Sequence, residues 1–126
     1  KSKLFAQNNL KKDELQLFNN LFEIIFSSMP QPDLLIYLHS DIARLQQNIK
    51  KRGRDFEQEI TDVYLQNIQN KYLDYLRKQK YFPVLLLDIS KADFKEDEKV
   101  YSKIKQLLKN SYELGVHQFN LAKDFF

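Results

Sequence analysis

The sequence contains no cysteine. This absence excludes a disulfide framework, a thiolate metal site and a cysteine nucleophile. Only two glycines and three prolines occur in 126 residues. So few turn-forming residues argue against a β-sandwich of many short strands and favour long helices joined by short connections.

Long apolar runs are also absent. No run approaches the roughly 20 residues of a membrane-spanning helix, and the first residues, Lys1–Phe5, lack the apolar core of a signal peptide. We therefore expect a cytoplasmic protein with no membrane partner. The sequence begins without a methionine, which suggests a fragment or a trimmed chain.

Charge of one sign does not dominate. The net charge is +3, with 20 Lys and Arg among 17 Asp and Glu. This balance favours anionic ligands only weakly and gives no reason to expect a nucleic-acid partner. His39 and His117 are too far apart in sequence to suggest a metal motif, so we expect no metal site from this chain. The hydrophobic content of 43% is enough for one folded domain.

Apolar periodicity predicts four helices and two strands. The expected helices cover residues 13–29, 41–52, about 61–80 and 98–110, and the expected strands cover residues 33–38 and 83–89. Each strand is a short, continuous apolar run, which is typical of buried parallel strands. Ser40 or Asp41 should cap the second helix, and the third should begin at Thr61 or nearby. The order predicts a βαβ unit with a right-handed crossover.

The helices are expected to bury one face each. The face predicted for the first helix consists of Leu15, Phe18, Phe22, Ile25 and Met29. Ile24, Ile25 and Phe26 are consecutive, which suggests burial on more than one side of this helix. The third helix should turn its Tyr75 inward and the fourth its Tyr101 and Leu108.

Two strands are too few for a covered sheet, because an open α/β sheet has about five. The predicted fold class is therefore α/β, mostly helical, with the two visible strands belonging to the C-terminal part of a larger parallel sheet. Residues 111–126 are weakly patterned. Their apolar side chains would need a surface to pack on: Phe119, Leu121, Phe125 and Phe126.

A basic turn follows the second predicted helix. Residues 52–57 read Arg-Gly-Arg-Asp-Phe-Glu, and we call this segment the arginine turn. Guanidinium groups offer a planar fork of donors that fits phosphate oxygens, and Gly53 lets the backbone turn. The turn can be interpreted as a mobile loop over a phosphorylated ligand or as a solvated connection between helices.

An ordered set of motifs extends beyond the arginine turn. It consists of residues 32–38 (Pro-Asp-Leu-Leu-Ile-Tyr-Leu), 49–57, 64–65 and 72–76, and then 83–88 followed by Asp93 and Phe94. The set resembles the deoxyribonucleoside kinases, above all the bacterial deoxyadenosine/deoxyguanosine kinase type, over residues 4–108. The resemblance implies the C-terminal part of a P-loop kinase-like domain in residues 1–110, with 111–126 as a tail.

The resemblance also implies roles for five residues. Residues 50–60 would form a lid in which Arg52 and Arg54 are catalytic and contact the phosphates of the donor. Glu57 would accept a hydrogen bond from the sugar 3′-hydroxyl of the nucleoside. Asp93 and Phe94 would lie in the loop that holds the adenine. The structural alternatives are a cation at a helix end, a glutamate paired with a lysine, a loop cap and a core anchor.

The chain departs from the family pattern at several positions. Asn48 stands where many relatives place an arginine that stacks on the donor base, and Phe56 replaces a common glutamate. No Gly-x-x-x-x-Gly-Lys-Ser/Thr motif occurs, so no phosphate-binding loop is available to place Mg²⁺. The resemblance thus implies ATP and Mg²⁺ as cofactors, with phosphate and metal ligands supplied by an N-terminal half, and an inactive chain in isolation.

The leading hypothesis is therefore part of a kinase that transfers the γ-phosphate of ATP to the 5′-hydroxyl of a deoxynucleoside. By resemblance the enzyme would be a homodimer. Two alternatives remain. One is a fragment of a nucleoside monophosphate kinase of the thymidylate kinase type. The other is a non-catalytic interaction fragment, from a split or decayed gene.

Overall fold

A computed structural model describes residues 1–121 of the chain. Phe125 and Phe126, which were expected to need a packing surface, lie outside the described residues. The helices are α1 (Ser2–Asn9), α2 (Lys12–Phe26), α3 (Ile42–Arg52), α4 (Asp62–Lys78) and α5 (Glu98–Leu108). The strands are β1 (Leu35–His39), β2 (Val84–Asp88) and β3 (Val116–Asn120). A single 3₁₀ turn, Asp55–Glu57, lies between α3 and α4.

The three strands form a parallel sheet in the order β1-β2-β3. In its register Tyr37 lies beside Leu86, and Leu86 beside Gln118. Helices α3 and α4 connect β1 to β2, so the predicted βαβ unit of parallel strands is confirmed. The central strand is the most buried, since Val84, Leu85 and Leu87 are inaccessible to solvent. Its continuous apolar sequence reflects neighbours on both faces and both edges.

Strand β3 is a correction to the prediction of two strands. It lies in the segment that shows little pattern, because the sequence Val-His-Gln-Phe-Asn of residues 116–120 mixes polar and apolar side chains. Such a strand has a described neighbour on one side only, and Gln118 is exposed. Leu121 follows β3 and is fully buried, which ties this segment to the core.

Helices α3 and α4 each begin with a side chain that caps the helix. The Asp41 carboxylate accepts a hydrogen bond from the Arg44 N–H at 2.8 Å and caps α3. The Thr61 hydroxyl accepts one from the Tyr64 N–H at 3.2 Å and caps α4. Both side chains satisfy donors that a helix N-terminus leaves without intrahelical partners. Of the two caps predicted for α3, the structure has Asp41, and the predicted start of α4 near Thr61 is confirmed.

The N-terminal helices differ from the prediction. Helix α1 was not predicted, and α2 ends at Phe26, three residues earlier than expected. Leu15, Phe18 and Phe22 are half-buried, and α2 packs against α1. The remaining predicted side chains are exposed: Ile24, Ile25, Phe26 and Met29. Helical spacing identifies an apolar face but not whether another element covers it.

Helices α4 and α5 lie on opposite faces of the sheet. On one face Leu76 of α4 packs with Phe82 and Val84. On the other face the side chains in contact are Leu85, Leu87, Ala92, Val100, Leu107 and Leu121. Tyr75, Tyr101 and Leu108 were expected to point inward, but they are exposed. Each is adjacent in sequence to a residue that does face the core. The buried face of each helix is therefore narrower than predicted.

Candidate functional site: the arginine turn and the loop after β2

The arginine turn begins where α3 ends. Gly53 has a φ of 70°, in the left-handed region, and its N–H donates to the Ile49 carbonyl at 3.2 Å. Glycine adopts this conformation at little cost, which lets the chain reverse sharply after the helix. Lys50, Lys51 and Arg52 occupy the last turn of α3. Cations are favourable there because the terminal carbonyls carry partial negative charge.

Three of the predicted site residues come together in this turn. The Nε–H of Arg52 donates to Oε1 of Glu57 at 2.9 Å, and its Nη2 donates to Oε2 at 2.6 Å. The Nε of Arg54 lies 3.9 Å from Oε1 of Glu57. The Glu57 side chain is only 14% exposed, whereas those of Arg52 and Arg54 are 47% and 58% exposed. A carboxylate that is mostly covered therefore lies between two accessible guanidinium groups.

The ion pair of Arg52 and Glu57 has the two-point geometry that suits arginine and carboxylate. Because Arg52 is about half exposed, solvent screens the attraction, and pairs of this kind contribute about 0.2–1 kcal/mol. The partner expected for Glu57 under the structural alternative was a lysine. It is instead an arginine to which the resemblance gives a catalytic role.

Gln58 is a residue that the sequence analysis missed. Its Nε2 donates to the carbonyl of Ile49 at 3.2 Å and to the carbonyl of Arg54 at 3.0 Å. One amide group therefore links the end of α3 to the arginine turn, because a glutamine NH₂ has two protons to donate. Nothing in the residue spacing indicated this bridge, since both acceptors are backbone atoms.

The loop after β2 contains the other two predicted residues. The Asp93 carboxylate accepts hydrogen bonds from the N–H of Lys95 at 3.0 Å and of Glu96 at 3.3 Å. The bond from Lys95 lowers the pKa of Asp93 most; slight desolvation opposes it, and Glu96 and the charges of Arg44 and Lys51 lower it further. The loop lies beside the start of α3, where the Asp41 N–H donates to the Ser90 hydroxyl at 2.9 Å.

Phe94 packs against the core cluster on the α5 face of the sheet. Asp93 thus caps the loop and Phe94 anchors it, as the structural alternatives had it. Within residues 1–121, no hydrogen bond or ion pair joins Asp93 to Arg52, Arg54 or Glu57. The structure therefore provides two separate groups, rather than one cluster of five residues.

A cavity of about 470 Å³ lies on the α4 side of the sheet. Its lining includes residues from all three strands and from α4: His39, Leu73, Arg77, Leu86, Asp88, Gln118, Phe119 and Asn120. His39 is half-buried, and its Nδ1 is buried without a hydrogen-bond partner. None of the five predicted site residues lines this cavity. The cavity was not predicted from the sequence, because part of its lining comes from β3.

Tyr37 lies on the same face of the sheet, and its ring packs beside those of His39 and Tyr72. Burial raises the pKa of Tyr37 above 10.0, and the nearby Tyr72 adds to this effect. The hydroxyl therefore stays protonated over the physiological range and offers a hydrogen-bond donor.

The described residues offer no metal centre. Within residues 1–121, no group of three or more His, Asp or Glu side chains is arranged to hold a metal ion. No helix in the same stretch combines the length and the apolar character needed to span a membrane. The accessible guanidinium groups of Arg52 and Arg54 can bind anions at the arginine turn.

Comparison with known proteins identifies the family. The profile of the deoxynucleoside kinase family matches residues 1–112. A deoxyguanosine kinase from Bacillus subtilis is 28% identical over 116 residues, covering 86% of this chain and 56% of that protein. A deoxyadenosine kinase from Dictyostelium discoideum is 30% identical over 114 residues, covering 89% of this chain and 44% of that protein. The chain therefore spans about half the length of these curated relatives.

A further relative carries a different name. The NADH dehydrogenase [ubiquinone] 1 alpha subcomplex subunit 10 from Bos taurus is 24% identical over 104 residues, covering 82% of this chain and 30% of that protein. The family match nevertheless extends over most of the chain, and it includes the arginine turn and the loop after β2. The resemblance inferred from the ordered motifs is thus confirmed, and the chain belongs to the deoxynucleoside kinase family.

Proposed function

We propose that this chain is the C-terminal portion of a kinase that transfers the γ-phosphate of ATP to the 5′-hydroxyl of a deoxynucleoside. The observation that supports it most is the pair of accessible guanidinium groups, Arg52 and Arg54, at the end of α3 in a chain of this family. Because the chain spans about half the length of its kinase relatives, the remaining parts of the site would come from elsewhere.

In this proposal the arginine turn is a lid over the donor phosphates. Phosphoryl transfer spreads negative charge over the oxygens of the moving group, and arginines positioned beside it stabilise that charge. Two guanidinium groups, each about half exposed, fit a polyphosphate well. ATP would supply the phosphoryl group. The Mg²⁺ ligands and the phosphate-binding loop would lie outside this chain.

Glu57 is proposed to bind the sugar of the acceptor. An ionised carboxylate only accepts hydrogen bonds, so a sugar hydroxyl is a suitable partner. The two oxygens of Glu57 face Arg52, and one of them is also near Arg54. The acceptor sugar would therefore lie close to the two groups that bind the donor phosphates, as direct transfer between the substrates requires.

Asp93 and Phe94 are proposed to shape the loop that receives the donor adenine. Asp93 binds the N–H groups of Lys95 and Glu96, and Phe94 is packed into the core. Their side chains would therefore act by holding the loop backbone in place. The loop is tied to the start of α3, because the Asp41 N–H donates to the Ser90 hydroxyl at 2.9 Å, and α3 leads into the arginine turn.

We further propose that the complete kinase is a cytoplasmic homodimer and that the chain alone transfers no phosphate. The apolar side chains of Leu17, Ile24 and Ile25 on α2, and of Met29 just after it, are more than half exposed. An exposed apolar patch of this kind is typical of a surface that another polypeptide covers.

The test is a transfer assay with the natural gene product that contains these residues. ATP labelled at the γ-phosphate is supplied with deoxyadenosine, deoxyguanosine or their 5′-monophosphates. We expect label in the nucleoside 5′-monophosphates. Label only in diphosphates, formed from the monophosphate acceptors, would instead identify a nucleoside monophosphate kinase.

A non-catalytic role is the second candidate, and one observation favours it. The Bos taurus relative is named as a subunit of a larger assembly and not as a kinase, and Asn48 and Phe56 depart from the kinase pattern. In that case the gene product would transfer no label to any deoxynucleoside or monophosphate, with or without Mg²⁺, while remaining folded.

A further inference from the structure

The carboxylate proposed to bind the acceptor sugar is already engaged by both arginines proposed to bind the donor phosphates. Arg52 uses two donor groups on Glu57, at 2.9 and 2.6 Å. Arg54 places its Nε 3.9 Å from the same carboxylate. A guanidinium group bound edge-on to a carboxylate has that edge blocked for phosphate.

The arrangement does not depend on crowding. Arg52 and Arg54 are about half exposed, so each side chain has room to leave Glu57 without disturbing the core. The backbone is held independently, because Gln58 binds the Ile49 and Arg54 carbonyls and Gly53 binds the Ile49 carbonyl. The side chains can therefore exchange partners while the arginine turn keeps its shape.

We propose that Glu57 is a positioning residue that competes with the donor phosphates for Arg52 and Arg54. In the ligand-free chain the single negative charge of Glu57 offsets part of the charge of the two guanidinium groups and weakens their binding of polyphosphate. A sugar hydroxyl that donates a hydrogen bond to Glu57 competes with the guanidinium donors for this carboxylate and frees the arginines. Binding of the acceptor would thereby promote binding of the donor. This inference rests on the proposed function for the identity of the two ligands.

Inorganic tripolyphosphate tests the competition without any catalysis. Its binding to the 126-residue chain is measured by titration calorimetry at low ionic strength. We expect Glu57→Gln to bind tripolyphosphate about two- to fivefold more tightly than the unaltered chain, because an exposed ion pair changes an equilibrium by about that factor. The matched control is Glu59→Gln, which removes the same charge two residues away from an exposed side chain and should bind almost as the unaltered chain does.

A double-mutant cycle separates release of the arginines from a general effect of charge. In the background Arg52→Ala/Arg54→Ala, the gain from Glu57→Gln should disappear, since no arginine is left to release. Equal gains from Glu57→Gln and Glu59→Gln would overturn the proposal, as would a gain that persists without the arginines or the absence of tripolyphosphate binding in every variant. Circular dichroism of each variant excludes unfolding as the cause.

Failure of this inference and failure of the proposed function give different results. Tripolyphosphate binding requires neither a nucleoside nor transfer of a phosphoryl group. A gain in Glu57→Gln together with no transfer to deoxynucleosides by the gene product would leave the competition established and reject the kinase activity. The opposite pair of results would reject the competition alone.

Discussion

In the proposed function, phosphate binding at the arginine turn depends on whether Arg52 and Arg54 are paired with Glu57. Glu57 is mostly covered and lies between two guanidinium groups that remain accessible. The carboxylate therefore offsets part of the positive charge in the ligand-free chain, and it holds the arginines in defined positions near the end of α3. A ligand with several negative oxygens gains both arginines if it displaces one carboxylate.

At the residue scale, Gln58 should hold the arginine turn in shape. Gln58→Ala removes two hydrogen bonds to backbone carbonyls, each contributing about 0.5–1.5 kcal/mol. We expect the free energy of unfolding to fall by about 1–2 kcal/mol in urea titrations, and amide exchange of residues 53–58 to accelerate. Gln47→Ala, at an exposed position of α3, is the control and should change stability by less than about 0.5 kcal/mol.

Tyr37 predicts the alkaline limit of stability. Its folded pKa is raised above 10.0 by burial, so its contribution is complete below pH 10 and is lost as the pH rises through the folded pKa. The Tyr37→Phe variant has no hydroxyl to ionise at this position. Between pH 9 and pH 11 we therefore expect its free energy of unfolding to fall less than that of the unaltered chain, and the difference is the contribution of this one hydroxyl. Parallel loss of stability in both proteins over this range would contradict the assignment.

At the scale of helices and strands, the features that could be predicted depend on residues close together in sequence. The caps Asp41 and Thr61 were predictable because each acts on an N–H three residues away. The glycine that ends α3 was predictable for the same reason. Strand β3 was not, because its burial depends on pairing with β2 and not on its own alternation. The cavity beside His39 was missed with it, and Gln58 was missed because its acceptors are backbone atoms.

Termination of α3 at Gly53 gives a prediction that depends on conformation alone. No atom lies within 4 Å of a Cβ added at Gly53, and its φ is 70°. Gly53→Ala should therefore lower stability by about 1–2 kcal/mol, the cost of the left-handed conformation for an L-residue. Gly53→Asn should lower it less, because asparagine tolerates this region. Equal losses for alanine and asparagine in urea titrations would point to another cause.

Strand β3 and the buried Leu121 lie beyond residue 112, where the family match ends. If this segment is part of the core, Leu121→Ala should lower the free energy of unfolding by about 2–5 kcal/mol, as for other buried leucines. Leu114→Ala makes the same change at a side chain that is 63% exposed and should cost less than about 0.5 kcal/mol. A small effect at Leu121 would show that the segment is not essential to the fold.

At the scale of the whole molecule, the described residues form a three-stranded sheet whose central strand, β2, is buried. Helix α2 carries several exposed apolar side chains. The chain spans about half the length of the deoxyguanosine and deoxyadenosine kinases it resembles. The exposed apolar side chains of α2 fit the proposal that another polypeptide covers this face. In the proposed function, this chain supplies the lid and the loop that receives the adenine.

The most direct test is the turnover number for transfer from ATP to a deoxynucleoside, measured for the natural gene product and for its Arg52→Ala/Arg54→Ala variant. If these arginines stabilise the transferring phosphoryl group, the double variant should lose about 10³-fold or more in kcat, while Glu59→Gln keeps the original rate. A double variant that stays folded and retains a kcat within about threefold of Glu59→Gln would contradict the role assigned to the arginine turn.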